Sequence, residues 1–179
     1  RMPYLAIGGD AAMRASAHIK ETPTIHPLDV VERVVSANDW MFDRRSDQEM
    51  AAQVPGHWCD YSLYFAWNEE VGALHFTCAF DMRVPAEKKA GIGQLLCLVN
   101  ERMWLGHFGM WEEEGLPMYR HALPLRGTGG PTPEQLEDLL DTAVAECERF
   151  YPAFQFLIWG GKSPQDALAA AMVATIGEA

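Results

Sequence analysis

The sequence predicts an α+β domain in which an antiparallel β-sheet packs against helices, and three observations predict it. First, Cys59, Tyr61, Leu63, Phe65 and Trp67 share one parity against Asp60 and Ser62, and Leu74, Phe76, Cys78, Phe80 and Met82 share one against His75, Thr77 and Asp81. A period of two marks half-buried strands, and strands joined only by 68–72 must pair antiparallel. Second, three other segments carry apolar residues at helical spacing. Third, the 179 residues are 49% hydrophobic and 22% charged, ordinary for a soluble globular domain, and such a chain buries enough surface to need no disulfide or structural metal.

In chain order, residues 1–24 mix Ala, Gly, Thr and scattered charge without periodicity and predict an N-terminal arm. Met2, Tyr4, Leu5 and Ile7 give it something to bury on the body or on a second subunit. A single domain is expected over 25–179. Pro27 opens a helix whose stripe is Leu28, Val31 and Val35, ended by Asn38 and Asp39. Residues 40–46 and 49–54 read as two short strands around a Ser46-Asp47-Gln48 turn, ahead of the two long strands. Val84-Pro85 breaks the sheet, and a second helix is expected over 87–105, from Ile92, Leu95, Leu96, Val99 and Met103. Gly91 and Gly93 weaken its first turns and permit another backbone to approach.

A second hairpin is expected from 107–111 and 118–123 around the turn Glu112-Glu113-Glu114-Gly115. Thr132-Pro133-Glu134-Gln135 is a capping box with Pro at the first helical position, opening a third helix with the stripe Leu136, Leu139, Leu140, Ala143, Val144, Cys147 and Phe150. Pro152 stands near its end, and the apolar run 154–159 reads equally as continued helix or buried extended chain. Ser163-Pro164 then caps a short Ala-rich helix to about Thr175.

Charge and cysteine usage narrow the function classes. Lys and Arg number 14 against 25 Asp and Glu, a formal charge of −11, which speaks against binding nucleic acid or an anionic membrane. Cys59, Cys78, Cys97 and Cys147 form no CxxC spacing. No apolar run reaches the length of a membrane span, and the first residues lack the apolar core of a signal peptide. A cytoplasmic protein with reduced thiols is expected.

The motifs with chemical potential have plainer readings that outweigh them. Trp159-Gly160-Gly161-Lys162-Ser163 resembles the tail of a phosphate-binding loop, but Phe156 stands where the leading Gly belongs and no strand clearly precedes it. It reads as a helix cap. His18, His26, His57, His75, His107 and His121 make no metal-ligand spacing. His107 and His121 are expected as cross-strand neighbours in the second hairpin, a hydrogen-bonded pair rather than ligands. Glu112, Glu113 and Glu114 read as a solvated turn. No GxSxG elbow occurs, so no catalytic, cofactor-binding or metal residue is assigned and no enzyme is expected. The long strands carry aromatics on both faces, with Trp58 and Tyr64 opposite Tyr61, Phe65 and Trp67. A sheet covered on one side only would expose them, which points to a protein-binding sheet or a dimer.

The segments HPLDVVERVVSANDWMFDR, WCDYSLYFAW, LHFTCAFDMRVP, LVNERMWLGHFGMW and FQFLIWGGKSP, in this order, resemble the YbjN family of bacterial sensory-transduction regulators over about residues 25–176. The family is similar in fold to class I type III secretion chaperones, so the resemblance implies the order α-β-β-β-β-α-β-β-α-α. It also implies a non-enzymatic regulator or chaperone-like protein-binding module, and a homodimer meeting through the helix at 87–105. The alternative is a small-molecule sensor or enzyme, with a cleft near the second hairpin built from His107, His121 and Glu112–Glu114.

Overall fold

The computed structural model describes residues 25–176. Its elements run α1 (Pro27–Ala37), β1 (Met41–Arg44), β2 (Glu49–Pro55), β3 (Asp60–Asn68), β4 (Ala73–Ala79), a 3₁₀ turn (Ala86–Lys88), α2 (Lys89–Asn100), β5 (His107–Trp111), β6 (Leu116–Pro124), α3 (Pro133–Ile158) and α4 (Pro164–Ile176). This is the expected element order. The strands form one six-stranded sheet in the order β1-β2-β3-β4-β6-β5, every neighbouring pair antiparallel. Because β6 pairs with β4, the second hairpin extends the first strand group and β5 becomes an edge.

The parity seen in the sequence decides the two faces. Tyr61, Leu63, Phe65 and Trp67 of β3 and Leu74, Phe76 and Cys78 of β4 enter the core with α1, α2 and α3. Phe65 lies opposite Phe76, and Leu63 opposite Cys78. From α3, Tyr151 meets Tyr61 edge-on, Phe154 meets Phe80 at 5.1 Å between centroids, and Phe150 meets Phe108 at 5.8 Å. Such edge-to-face pairs add to simple burial, since ring edges are positive and faces negative. α1 is held on the sheet by its buried valines and by Arg44, whose guanidinium pairs with Asp29 at 2.6 Å and Glu32 at 3.2 Å. α4 packs on α3 and α2.

Several boundaries differ from expectation, each for a local reason. The first strand stops at Arg44 because the Ser46 hydroxyl accepts from the Gln48 and Glu49 N–H groups and closes a turn. The second helix spans 89–100 rather than 87–105. The Asn100 side chain turns to bond the Phe108 backbone, and the chain bends back at Gly106, whose φ of 67° and close approach to Tyr119 exclude a β-carbon. The run 154–158 continues α3, so Pro152 sits inside a 26-residue helix. Thr132 and Gln135 make the capping box as expected, at 3.1 and 3.0 Å. The expected arm, residues 1–24, lies outside the described residues.

Candidate functional site

The two edges of the sheet are treated in opposite ways. On β5, the Asn100 side-chain oxygen accepts from the Phe108 N–H at 2.7 Å, and its amide donates to the Phe108 carbonyl at 3.0 Å. One side chain thereby occupies the outward backbone groups at the middle of that strand. On β1, the Arg45 N–H donates to the Glu49 carbonyl at 3.0 Å. Antiparallel ladders alternate, so the N–H and C=O of Arg44 and Phe42 point away from β2 toward the open edge. No described strand lies beside them. Met41 is 76% exposed and Phe42 38%, so an unpaired backbone row stands between two apolar side chains.

The residues singled out in the second hairpin do not converge. His107 lies opposite Arg120, not His121, and His121 lies opposite Phe76. The expected cross-strand histidine pair is therefore corrected: the register sets the two rings on opposite faces. Burial pushes His75, His107 and His121 below the ordinary 6.5, Arg120 adding for the first two and His107 for the third. A histidine with a depressed folded value takes up its proton more readily in the unfolded chain, so stability rises with pH across its titration. Urea midpoints are expected to fall as pH drops from about 7.5 through the ordinary histidine range, and His121→Gln to flatten that slope, because burial disfavours the charged ring. An unchanged slope would mean the ring is not desolvated. Glu112 and Glu114 at the hairpin tip are exposed and paired with Lys89 and Arg83, each at 3.4 Å, a solvated turn as expected.

Gly160-Gly161-Lys162-Ser163 follows a helix rather than a strand. Ser163 Oγ accepts from the Asp166 N–H at 3.2 Å, and Lys162 lies 5.9 Å from the centre of the Phe156 ring, the geometry of a cap. Gly91 abuts Leu157 of α3, while Gly93 is open, so close approach at the first is used within the chain. Trp58, expected on the outer sheet face, instead stacks on Tyr151 and donates Nε1–H to the Glu148 carbonyl at 3.0 Å. Tyr64 does lie on the outer face, opposite Thr77.

A half-open cavity of about 320 Å³ is lined by His57, Trp58, Ala145, Glu148, Arg149, Pro152 and Ala174. It lies by the β2–β3 turn and α3, away from the second hairpin, where the alternative reading of a small-molecule sensor or enzyme would place a cleft. Its carboxylate is already engaged, since Glu148 accepts from the His57 N–H at 2.9 Å. All four cysteines are free thiols. Cys78 and Cys147 lie 3.6 Å apart in the core, and burial holds the Cys147 thiol well above its usual range and pushes Cys59 up to about 12, which keeps them protonated. Among the described residues no group of three or more His, Cys, Asp or Glu is placed to hold a metal, and no helix is long and apolar enough to cross a membrane.

What sequence reasoning missed is the pair of edges. Asn100 and Phe42 carry no motif, because their roles arise from strand order; the only signal was that Asn is a poor helix residue at the end of an apolar stripe.

Residues 27–156, from the start of α1 into the last turns of α3, match the model of the YbjN family, described as "putative bacterial sensory transduction regulator". The chain is also similar to the crystal structure of YbjN from E. coli, described as "a putative transcription regulator", at 13% sequence identity and a TM-score of 0.48, over 68% of this chain and 85% of that one. No curated protein matches.

Proposed function

The chain belongs to the YbjN family, and on that premise we propose that it is a non-enzymatic regulator that binds an extended segment of another protein along the β1 edge. The observation that carries this reading is the contrast between edges: Asn100 plugs β5, whereas β1 presents outward backbone groups at Phe42 and Arg44 beside exposed Met41 and Phe42. Natural sheets blunt their edges against unwanted pairing, so an edge left open between apolar side chains suits strand addition. In that mode main-chain bonds supply affinity and the alternating side chains supply selectivity. The shortness of β1 limits such a partner to a few residues of pairing, as befits a reversible contact. Homodimerisation through α2 belongs to the same reading, with Gly93, Gln94 and Cys97 on the helix's exposed side.

The test is affinity capture from the cytosol of the source cells with wild type and Phe42→Pro, followed by mass spectrometry and by light scattering of the eluate. Proline at position 42 removes an outward N–H and leaves the β1–β2 bonds of residues 41 and 43 in place. Loss of one such bond and of the Phe side chain is expected to weaken a strand-adding partner by about tenfold or more, while Phe42→Leu retains it. Equal recovery of the same partners by Phe42→Pro would sink the edge reading. Recovery of a small molecule instead of a protein would turn attention to the cavity beside His57.

A further inference from the structure

Carboxylates outnumber cations around the β1 edge, and the open backbone row runs between them. From Asp29 to Glu49, α1, β1 and the turns beside it carry Asp29, Glu32, Asp39, Asp43, Asp47 and Glu49 against Arg33, Arg44 and Arg45. That is a formal −3 in about an eighth of a chain whose total is −11, more than twice the average density. Arg44 alone serves three of the carboxylates, Asp29 at 2.6 Å, Glu32 at 3.2 Å and Asp47 at 3.8 Å, and its side chain is only 23% exposed where that of Asp47 is 96%. Asp43 lies 3.6 Å from Arg45 and its side chain is still 75% exposed. One guanidinium cannot neutralise three carboxylates, so negative charge is left facing solvent beside the strand.

Strand geometry decides which carboxylate an added strand meets most closely. Asp43 bonds toward β2, so on the open side it stands at a non-hydrogen-bonded position between the outward groups of Phe42 and Arg44. In an antiparallel pair the residues facing each other at such a position come closest, about 4.5 Å between Cα atoms. Opposite charges there stabilise the pair, and like charges oppose it. A second copy of this chain is a poor occupant for that reason. The one antiparallel register that uses the outward groups of both Phe42 and Arg44 in each copy pairs Phe42 with Arg44 and sets Asp43 against Asp43, across two edges of the same negative sign.

We propose that the segment added to β1 is a basic, alternating strand of another protein, with a Lys or Arg opposite Asp43 and an apolar side chain opposite Phe42. The inference rests on the reading of the β1 edge as a site of strand addition and names the chemistry of its partner. Residues opposite each other across two strands share a face of the sheet. The basic side chain therefore lies on the outer face with Asp43 and Met41, its apolar stem over the exposed methionine and its charged head at the carboxylate. The apolar side chain lies on the helix side against Phe42, whose partner on β2 is the buried Ala52. Asp29, Glu32 and Asp47 add a field of the same sign on that side, which speeds the approach of a cationic segment and turns away an acidic one.

Short synthetic peptides alternating Val with Lys, Val with Thr or Val with Glu test it, each titrated into the full chain and read from the amide NMR shifts of Phe42 and Arg44. At low ionic strength the Val-Lys peptide is expected to bind about three- to tenfold more tightly than Val-Thr, with Val-Glu the weakest. The advantage is expected to fade near 1 M salt, where the Debye length is about 3 Å. Asp43→Asn combined with Asp47→Asn, both exposed and outside the core, is expected to shrink it to about twofold or less and to leave Val-Thr binding unchanged. Equal affinities for Val-Lys and Val-Thr, both lowered by Phe42→Pro, overturn the charge preference and leave the edge reading standing. Tighter binding of Val-Lys that neither the asparagine variant nor Phe42→Pro lowers also overturns it, because the peptide then follows the overall charge of −11. Binding of none of the three at Phe42 and Arg44 removes the edge reading and this inference together.

Discussion

Phe80→Ala is expected to destabilise the protein by about 3–5 kcal/mol, read as a lower urea midpoint with an unchanged slope. Phe80 follows the last residue of β4 and is the meeting point of the aromatic core. It contacts Tyr61 at 6.0 Å, Tyr151 at 5.2 Å, Phe154 at 5.1 Å and Phe108 at 6.0 Å between centroids. Two of those rings come from α3 and two from the sheet, so the side chain joins the layers rather than filling a space within one. Truncation removes the buried surface and leaves a cavity that four stiff rings cannot easily close. Domains of this kind are stable by about 5–15 kcal/mol in total, so the variant is expected to be partly unfolded under mild denaturant. Phe80→Leu should cost much less, about 1–2 kcal/mol. A loss below about 1 kcal/mol for the alanine variant would show that the rings repack, and would remove Phe80 from its place at the layer junction.

Asn100→Leu is the second large effect, and it separates stability from edge protection. The substitution replaces the amide with an apolar side chain of similar size and leaves both the N–H and the C=O of Phe108 without the partner they have at 2.7 and 3.0 Å. Each buried backbone group left unpaired costs about 1–3 kcal/mol, with water recovering part of it at an edge, so a loss of about 2–3 kcal/mol is expected. The same change turns β5 into an open edge. Light scattering of the leucine variant is therefore expected to show concentration-dependent self-association that wild type lacks at that edge. Asn100→Asp retains an acceptor for the N–H but no donor for the C=O, and should fall between the two. A leucine variant as stable and as dispersed as wild type would mean that β5 is protected by something other than Asn100.

The edges also explain how the site could escape a reading of the sequence while the fold did not. Tyr61, Leu63, Phe65 and Trp67 announce a buried strand face by their parity alone, because alternation is a property of one strand and needs no partner. Thr132 and Gln135 announce a helix start for the same reason: both halves of the capping box lie within four residues. The pairing of His107 with Arg120 rather than His121 depends on where the hairpin turns, and one residue of register moves a ring to the other face. The end of α2 was equally hidden. Met103 continues the apolar spacing past Asn100, and only the tertiary contact to Phe108 makes stopping there worth more than another turn.

By itself the sequence determined the α+β class, the order of helices and strands, which face of each long strand is buried, and membership of the YbjN family. These follow from local periodicity, capping and turn chemistry, each of which acts over a few residues and is written directly in the chain. The tertiary structure decided that β6 inserts beside β4, that Asn100 closes one edge while Phe42 faces out from the other, and that Trp58 turns onto α3. Those outcomes rest on contacts between residues far apart in sequence. Their free energies depend on register and packing, which no single segment contains.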